Sequence, residues 1–193
     1  MHVWKGMVAL AAWVAVGGLA VGLSLAKAES GLPAGATLDV ETDPDGGVRA
    51  HAVLDLPATI PIVERVLTDY ASWPQLFESR MRMTRIEPVG DRVITELFVA
   101  HPILPGESRL LSENRRQADG RLTTTLLGGD FKKYARAWHL SMRNPGRTHA
   151  EFDLLMQADT LAPDWMVAIA LRKELETHFS RLVARIAKES TQP

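Results

Sequence analysis

One arginine of the sequence stands among aromatic residues in a segment that alternates like a β-strand. In residues 132–142 the large members of the alternating pattern are Tyr134, Arg136, Trp138, Leu140 and Met142. Successive side chains of a strand point to opposite faces of a sheet, so this set is expected to point inward. A guanidinium buried there needs a partner. We expect a protein carboxylate, Glu96 or Glu107, in preference to the anionic head group of a ligand.

The residues that serve most often in catalysis and metal binding form no recognisable constellation. The sequence has no cysteine, which excludes disulfides and thiolate chemistry. The histidines after residue 28 lack a second ligand at metal-binding spacing; they are His51, His101, His139, His149 and His178. We therefore predict no metal, no cofactor and no catalytic residue. An acid–base enzyme that uses His101 with Glu96 or Tyr134 is the alternative.

The elements that position these residues begin with a hairpin and two helices. Strand patterns at 38–42 and 48–56 flank a turn at 43–47 that contains one proline and two glycines. Apolar residues three or four apart predict a helix over residues 57–70. A second short helix is expected over residues 73–79, because a serine precedes it and a proline follows its first residue.

The second part of the chain is expected to form a sheet and one long helix. Residues 81–159 change to a period of two, broken by turn residues, which predicts six antiparallel strands. A helix is expected over residues 162–188, where the apolar stripe consists of Ala168, Leu171, Leu175, Phe179, Leu182 and Ile186. These elements predict an α+β domain in which the last helix packs on the sheet.

The last helix begins with residues that are apolar around its whole circumference, at 165–171. One side of this segment is expected to face the sheet or a cavity. The other side, with Trp165, Met166 and Ile169, would form a portal for a lipid or make transient contact with a membrane. The alternative is that the loop 160–163 or the first hairpin covers these residues.

A second apolar feature lies in the loop at residues 101–106. It places Ile103 and Leu104 between two prolines at the end of a predicted strand. Such a loop either closes over a ligand as a lid or packs under a neighbouring helix.

The N-terminal 28 residues differ from the rest of the chain. Lys5 precedes an uncharged apolar run at residues 7–25, and the sequence Ala26-Lys27-Ala28 closes it. This is the pattern of a secretory signal peptide, so we predict cleavage after Ala28 and a periplasmic or secreted protein. An uncleaved N-terminal membrane anchor is the alternative.

The remaining chain has the composition of one globular domain. The 193 residues carry a formal net charge of -1, and 46% of them are hydrophobic. Residues 29–36 are predicted to be a linker and residues 37–190 the folded domain. The near-neutral charge supplies no broad basic field, so no nucleic acid is expected as a partner.

Two segments resemble those of a known superfamily. Residues 67–77 read Leu-Thr-Asp-Tyr-Ala-Ser-Trp-Pro-Gln-Leu-Phe, and residues 129–134 read Gly-Asp-Phe-Lys-Lys-Tyr and continue to Trp138 and Leu140. They resemble the START-like, or SRPBCC, helix-grip proteins, in the branch of coenzyme Q-binding proteins and polyketide cyclases or dehydrases. The resemblance implies a curved antiparallel sheet that grips the terminal helix around an apolar cavity. Arg136 departs from the pattern, because related sequences often have glycine there.

The sequence therefore predicts an exported carrier that holds a hydrophobic small molecule, such as a lipid, a quinone or a polycyclic compound. A cyclase or dehydratase acting on a polyketide-like substrate and a module that binds a protein partner are the alternatives. The predicted ligand-binding residues are Tyr134, Arg136, Trp138, Leu140, Phe152, Leu154, Met156, Trp165, Met166, Ile169, Ile103 and Leu104.

Overall fold

The computed structural model of the protein describes residues 31–100 and 106–191. In chain order the elements are β1 (Thr37–Thr42), β2 (Val48–Leu56), α1 (Ile60–Thr68), a 3-10 helix (Tyr70–Leu76), β3 (Met81–Val89), β4 (Arg92–Ala100), β5 (Glu107–Arg116), β6 (Leu122–Gly129), β7 (Phe131–Asn144), β8 (Arg147–Ala158) and α2 (Asp164–Ser190). The sheet has the order β1-β2-β8-β7-β6-β5-β4-β3, and neighbouring strands are antiparallel. The predicted α+β helix-grip architecture is confirmed.

The terminal helix α2 lies across the inner face of the sheet, where it contacts β1 and β2. Four residues of its predicted stripe are at most 3% exposed: Leu175, Phe179, Leu182 and Ile186. The ring of Phe179 meets those of Phe152 and Trp138 at centroid distances of 5.3 and 6.0 Å. Such aromatic pairs add about 0.5–1.5 kcal/mol beyond the burial of their area. Side chains therefore fill the sheet–helix interface around Phe179.

The two short helices differ from their predicted form. The first, α1, begins only after Thr59, because the backbone of Thr59 is extended. The carbonyl of the preceding Ala58 accepts from the hydroxyl of Thr148 at 2.7 Å. The second is a 3-10 helix that begins three residues before the predicted start. It contains Pro74, which lacks an N–H and disfavours α-helical backbone at Trp73.

The prediction that Met142 of β7 is buried on the inner face is wrong. Met142 has the inward phase of that strand, since its register partner Thr148 is fully buried. Its side chain is nevertheless 75% exposed, because β7 continues past the part of the sheet that the helices cover. The residue contributes to a surface hollow beside α1 instead of the core.

The segment that leads into β1 lies against α2. Leu32 and Ala36 pack on the core, and the hydroxyl of Ser180 donates to the carbonyl of Gly31. The predicted signal segment at residues 1–28 lies outside the described residues. No helix within the described ranges has the length and apolar character needed to cross a membrane.

Candidate ligand-binding site

Arg136 points inward from β7 and lies on the face of an indole ring. Its guanidinium carbon is 4.3 Å from the ring centroid of Trp73, a distance at which a cation is attracted to the π-face. Trp73 is 6% exposed, and its Nε1–H donates to the carbonyl of Leu67 at 3.1 Å. The junction between α1 and the 3-10 helix thus provides a fixed aromatic surface for the guanidinium.

A chain of buried polar side chains extends from Arg136 across three further strands. Nη2 of Arg136 donates to Oγ1 of Thr124 at 2.9 Å, and the Thr124 hydroxyl donates to Oδ1 of Asn114 at 2.8 Å. Nδ2 of Asn114 donates to Oγ1 of Thr95 at 2.9 Å, which is 3.0 Å from Oγ of Ser112. The other four residues of this series of hydrogen bonds are at most 3% exposed. The series therefore holds the guanidinium of Arg136 from one side, through Thr124.

The prediction that Glu96 or Glu107 pairs with Arg136 is wrong. Glu96 and Glu107 lie on the outer face of the sheet, because they alternate with inward residues of β4 and β5. Glu96 accepts from Arg109 at 2.7 Å, and Glu107 accepts from Arg82 at 3.0 Å. Nε of Arg136 is buried and has no hydrogen-bond partner within residues 31–100 and 106–191.

The acid–base pairs suggested for an enzyme both require His101, which lies outside the described residues. Of its two alternative partners, Glu96 lies on the outer face of the sheet and Tyr134 on the inner face. In the part of the chain that the structure describes, no group of three His, Asp or Glu side chains could hold a metal ion.

Two neutral groups flank the guanidinium. His178 is 5% exposed and stacks on Phe77 at a centroid distance of 4.2 Å. The pKa of His178 is lowered to about 3, first by burial and then by the charge of Arg136, while the hydrogen bond with the Leu76 carbonyl acts in the opposite direction. Burial raises the pKa of Tyr70, while the charge of Arg136 acts in the opposite direction. Both groups are therefore uncharged at neutral pH.

One end of the inner face is only partly covered. We call this region the open end; its inward-pointing apolar side chains are partly buried and are Met83, Val99, Leu126, Phe131, Tyr134 and Met156. Leu171 of α2 is partly buried as well. Two predicted ligand-binding residues, Tyr134 and Met156, lie here.

Other predicted ligand-binding residues are packed within the core. Trp138, Phe152 and Leu154 are 2%, 2% and 7% exposed, and the rings of the first two are 4.8 Å apart. Leu140 is partly buried and packs on the same cluster. These four residues serve the core in this structure.

The first turns of α2 expose the residues of the predicted portal. Trp165 is 59% exposed, Ile169 is 65% exposed, and Leu161 in the preceding loop is fully exposed. The loop 160–163 therefore leaves this surface uncovered. Met166 is partly buried. The predicted lid residues Ile103 and Leu104 lie outside the described residues.

Two hollows among the described residues lie away from the interior. One, of about 350 Å³, crosses the outer face between β1 and β6, and beside it Nδ1 of His51 lies 2.9 Å from Oδ1 of Asp153. The other, of about 270 Å³, lies between α1 and the β7–β8 turn. Both are open to solvent and are lined by many charged or small side chains, unlike an enclosed apolar cavity.

The polar chain and the indole under Arg136 were missed by the sequence analysis. The alternation of β6 does place Thr124 on the same face as Leu122 and Leu126, so its inward direction was readable. The sequence did not show that Thr124 and Arg136 are register partners, nor that Trp73 covers them.

Solved structures match this chain at the level of the fold. It is similar to a START superfamily protein from Mycobacterium smegmatis, with a TM-score of 0.58 and 17% identity over 72% of this chain and 97% of that one. A STAR-related lipid transfer protein from Xanthomonas axonopodis gives a TM-score of 0.62 and 12% identity over 80% and 95% of the chains. The Zhui aromatase/cyclase from Streptomyces sp. R1128 gives a TM-score of 0.56 and 10% identity over 79% of this chain and 94% of that one.

These matches define the fold as the START-like helix-grip fold, which confirms the resemblance seen in the sequence at the level of the fold. No protein-family model matches the sequence, and the search of curated proteins finds no match. The same fold carries a lipid transfer protein and an aromatase/cyclase among its matches, so the fold alone does not select a function.

Proposed function

We propose that this protein binds a hydrophobic small molecule, such as a lipid, a quinone or a polycyclic compound, at the open end of its sheet. The observation that carries the proposal is the set of inward-pointing apolar side chains that stay partly exposed there. In a chain without a ligand, such side chains leave apolar area in contact with water. A bound apolar molecule would remove that area from water, at about 25 cal/mol per Å².

The exposed residues Leu161, Trp165 and Ile169 supply a route to this site. We call them the portal patch. Trp165 and Ile169 are four residues apart and so share one face of α2. The start of α2 lies near Met156 of the open end, because Asp164 accepts from the N–H of Gly47 at 2.9 Å and Gly47 lies against the backbone of Met156. An apolar surface near the open end would let a lipid pass between a membrane and the site without crossing water.

Matched substitutions in β6 test the binding site. Leu126 points into the open end, whereas its neighbour Leu127 points outward and is 51% exposed. We expect Leu126→Gln to weaken binding of a fluorescent fatty acid or lipid analogue by about tenfold, because an amide placed against an apolar ligand loses its hydration. Leu127→Gln is the control and should bind like the natural protein. Equal affinities for the two variants, or no binding by the natural protein, would contradict the proposal.

We also propose that residues 1–28 direct export and are removed after Ala28. The basic start, the apolar run and the small-x-small end support this proposal. Intact-mass analysis of protein recovered from the periplasm or the medium of a bacterial host should give a chain that begins at Glu29. A full-length chain retained in the membrane fraction would instead establish the anchor.

A further inference from the structure

Arg136 carries a charge that no carboxylate of the described residues neutralises. Among residues 31–100 and 106–191, buried side-chain atoms without a hydrogen-bond partner occur in Asp55, Arg115 and Arg136. Asp55 still has an ion pair with Arg147 at 3.1 Å, and Arg115 has one with Asp91. Arg136 forms no ion pair in the same part of the chain, and it differs from the other two in this respect.

The hydrogen bonds around Arg136 hold it in place without supplying a negative charge. Thr124 accepts from Nη2, and its own hydroxyl hydrogen is directed to Asn114. The polar chain therefore presents one neutral oxygen to the guanidinium, and Trp73 presents a ring face. The arrangement fixes the fork of donors while leaving Nε unused.

A partly buried charge without a counter-ion is costly, and its presence on the inner face needs an explanation. The groups around it, Tyr70 and His178, are uncharged, so they do not replace a carboxylate. We propose that the hydrophobic ligand is an amphiphile whose anionic oxygen-rich head group, a carboxylate or a phosphate, pairs with Arg136 while its tail occupies the open end. This inference rests on the proposed function and specifies the class of its ligand. A planar guanidinium is suited to such head groups because it can donate two parallel hydrogen bonds.

The position of Arg136 fits a ligand that enters by the open end. Within β7, Tyr134 belongs to the open end and Arg136 is the next residue on the same face, about 6.6 Å further along the strand. Trp138, the following inward residue, is 2% exposed and belongs to the filled core. Arg136 therefore lies where the open end meets the core, which is where the head group of an inserted amphiphile would stop.

The test compares ligands that share one acyl tail and differ in the head group. Displacement of a fluorescent probe gives the affinities of a fatty acid, the corresponding lysophosphatidic acid and the uncharged methyl ester, at about pH 8, where both acids are ionised. The natural protein should bind at least one of the acids about tenfold more tightly than the ester. A preference for the fatty acid assigns a carboxylate head group, and a preference for the lysophosphatidic acid assigns a phosphate.

Substitutions then assign the preference to Arg136. Arg136→Met keeps the apolar stem and removes the charge, so the acid and the ester should bind alike and the affinity for the ester should stay the same. Arg109→Met, on the outer face, is the matched control and should keep the preference. If Arg136→Met does not fold by circular dichroism, Thr124→Val removes the hydroxyl that positions the guanidinium and should reduce the preference severalfold.

The outcomes separate this inference from the proposed function. If the natural protein binds acids and ester equally, or if the preference survives in Arg136→Met, the head-group inference is wrong while binding of a hydrophobic ligand stands. If none of the three ligands binds, both the proposed function and this inference fall.

Discussion

His178 should make the stability of the protein fall as the pH falls from neutral. The residue is neutral in the folded protein down to a pKa of about 3, because burial and then the charge of Arg136 disfavour its protonated form. In the unfolded chain it takes up a proton near its ordinary pKa of 6.5. The unfolded state therefore binds more protons between these two values, and acidification within this range favours unfolding.

The size of the effect follows from the two pKa values. A pH of about 5 lies 1.5 units below the pKa of the unfolded histidine, so this histidine is protonated while the folded one is not. The difference in proton binding corresponds to about 2 kcal/mol of lost stability. Replacing His178 with Phe keeps an aromatic ring against Phe77 and removes the titrating group. His178→Phe also removes the hydrogen bond to the Leu76 carbonyl, and this loss does not vary with pH.

Urea unfolding at about pH 8 and pH 5 measures the effect, since histidine titration falls between these values. The natural protein should lose about 2 kcal/mol more between the two pH values than His178→Phe does. His139→Gln, which changes an exposed histidine of β7, is the control and should behave like the natural protein. An equal loss of stability in the natural protein and His178→Phe would refute the reasoning, because it would show that the buried imidazole does not resist protonation.

Three further predictions follow from the fold and the portal patch. Trp138→Ala should lower the free energy of unfolding by about 3–5 kcal/mol in urea titrations, because it empties the core beside Phe152; a loss below about 1 kcal/mol would contradict this. Gly129→Ala should destabilise the protein more than Gly90→Ala, although both glycines have positive φ. An added Cβ at Gly129 would lie 2.1 Å from a backbone carbonyl oxygen, whereas the space around Gly90 is open. Similar melting temperatures for the two variants would contradict this prediction. Trp165→Gln should slow transfer of a fluorescent lipid from vesicles severalfold while leaving its equilibrium affinity unchanged, and an unchanged rate would exclude the portal patch from lipid entry.

The fold was predictable because its local signals agree with one another. The period of two over residues 81–159 and the apolar stripe of the last helix both report which faces are buried, and the structure has six strands and a long helix there. Errors occurred at ends and junctions. The 3-10 helix is one such error, because Pro74 lacks an N–H and disfavours α-helical backbone at the residue before it.

The candidate site was predictable only in part, for a different physical reason. Alternation along β7 correctly placed Arg136 on the inner face, because direction is a property of one strand. The partner of Arg136 depends on the register between strands, and Glu96 was chosen without knowing its phase in β4. The true partner, Thr124, is its register neighbour in β6. A sequence shows which residues share a face of one strand, but the register across a sheet is a long-range property.

The structure also shows how the protein combines a filled core with a partly covered open end in the absence of disulfides. The C-terminal half of α2 is anchored by large buried side chains such as Phe179 and Leu182, which are fully buried. Its N-terminal half, around Trp165 and Ile169, is exposed on the outside, and Leu171 is only partly buried. The filled core is therefore concentrated where Trp138 meets Phe179, away from the open end. For this reason a polar substitution at the open end should change binding with little effect on folding, whereas a truncation in the core should change folding first.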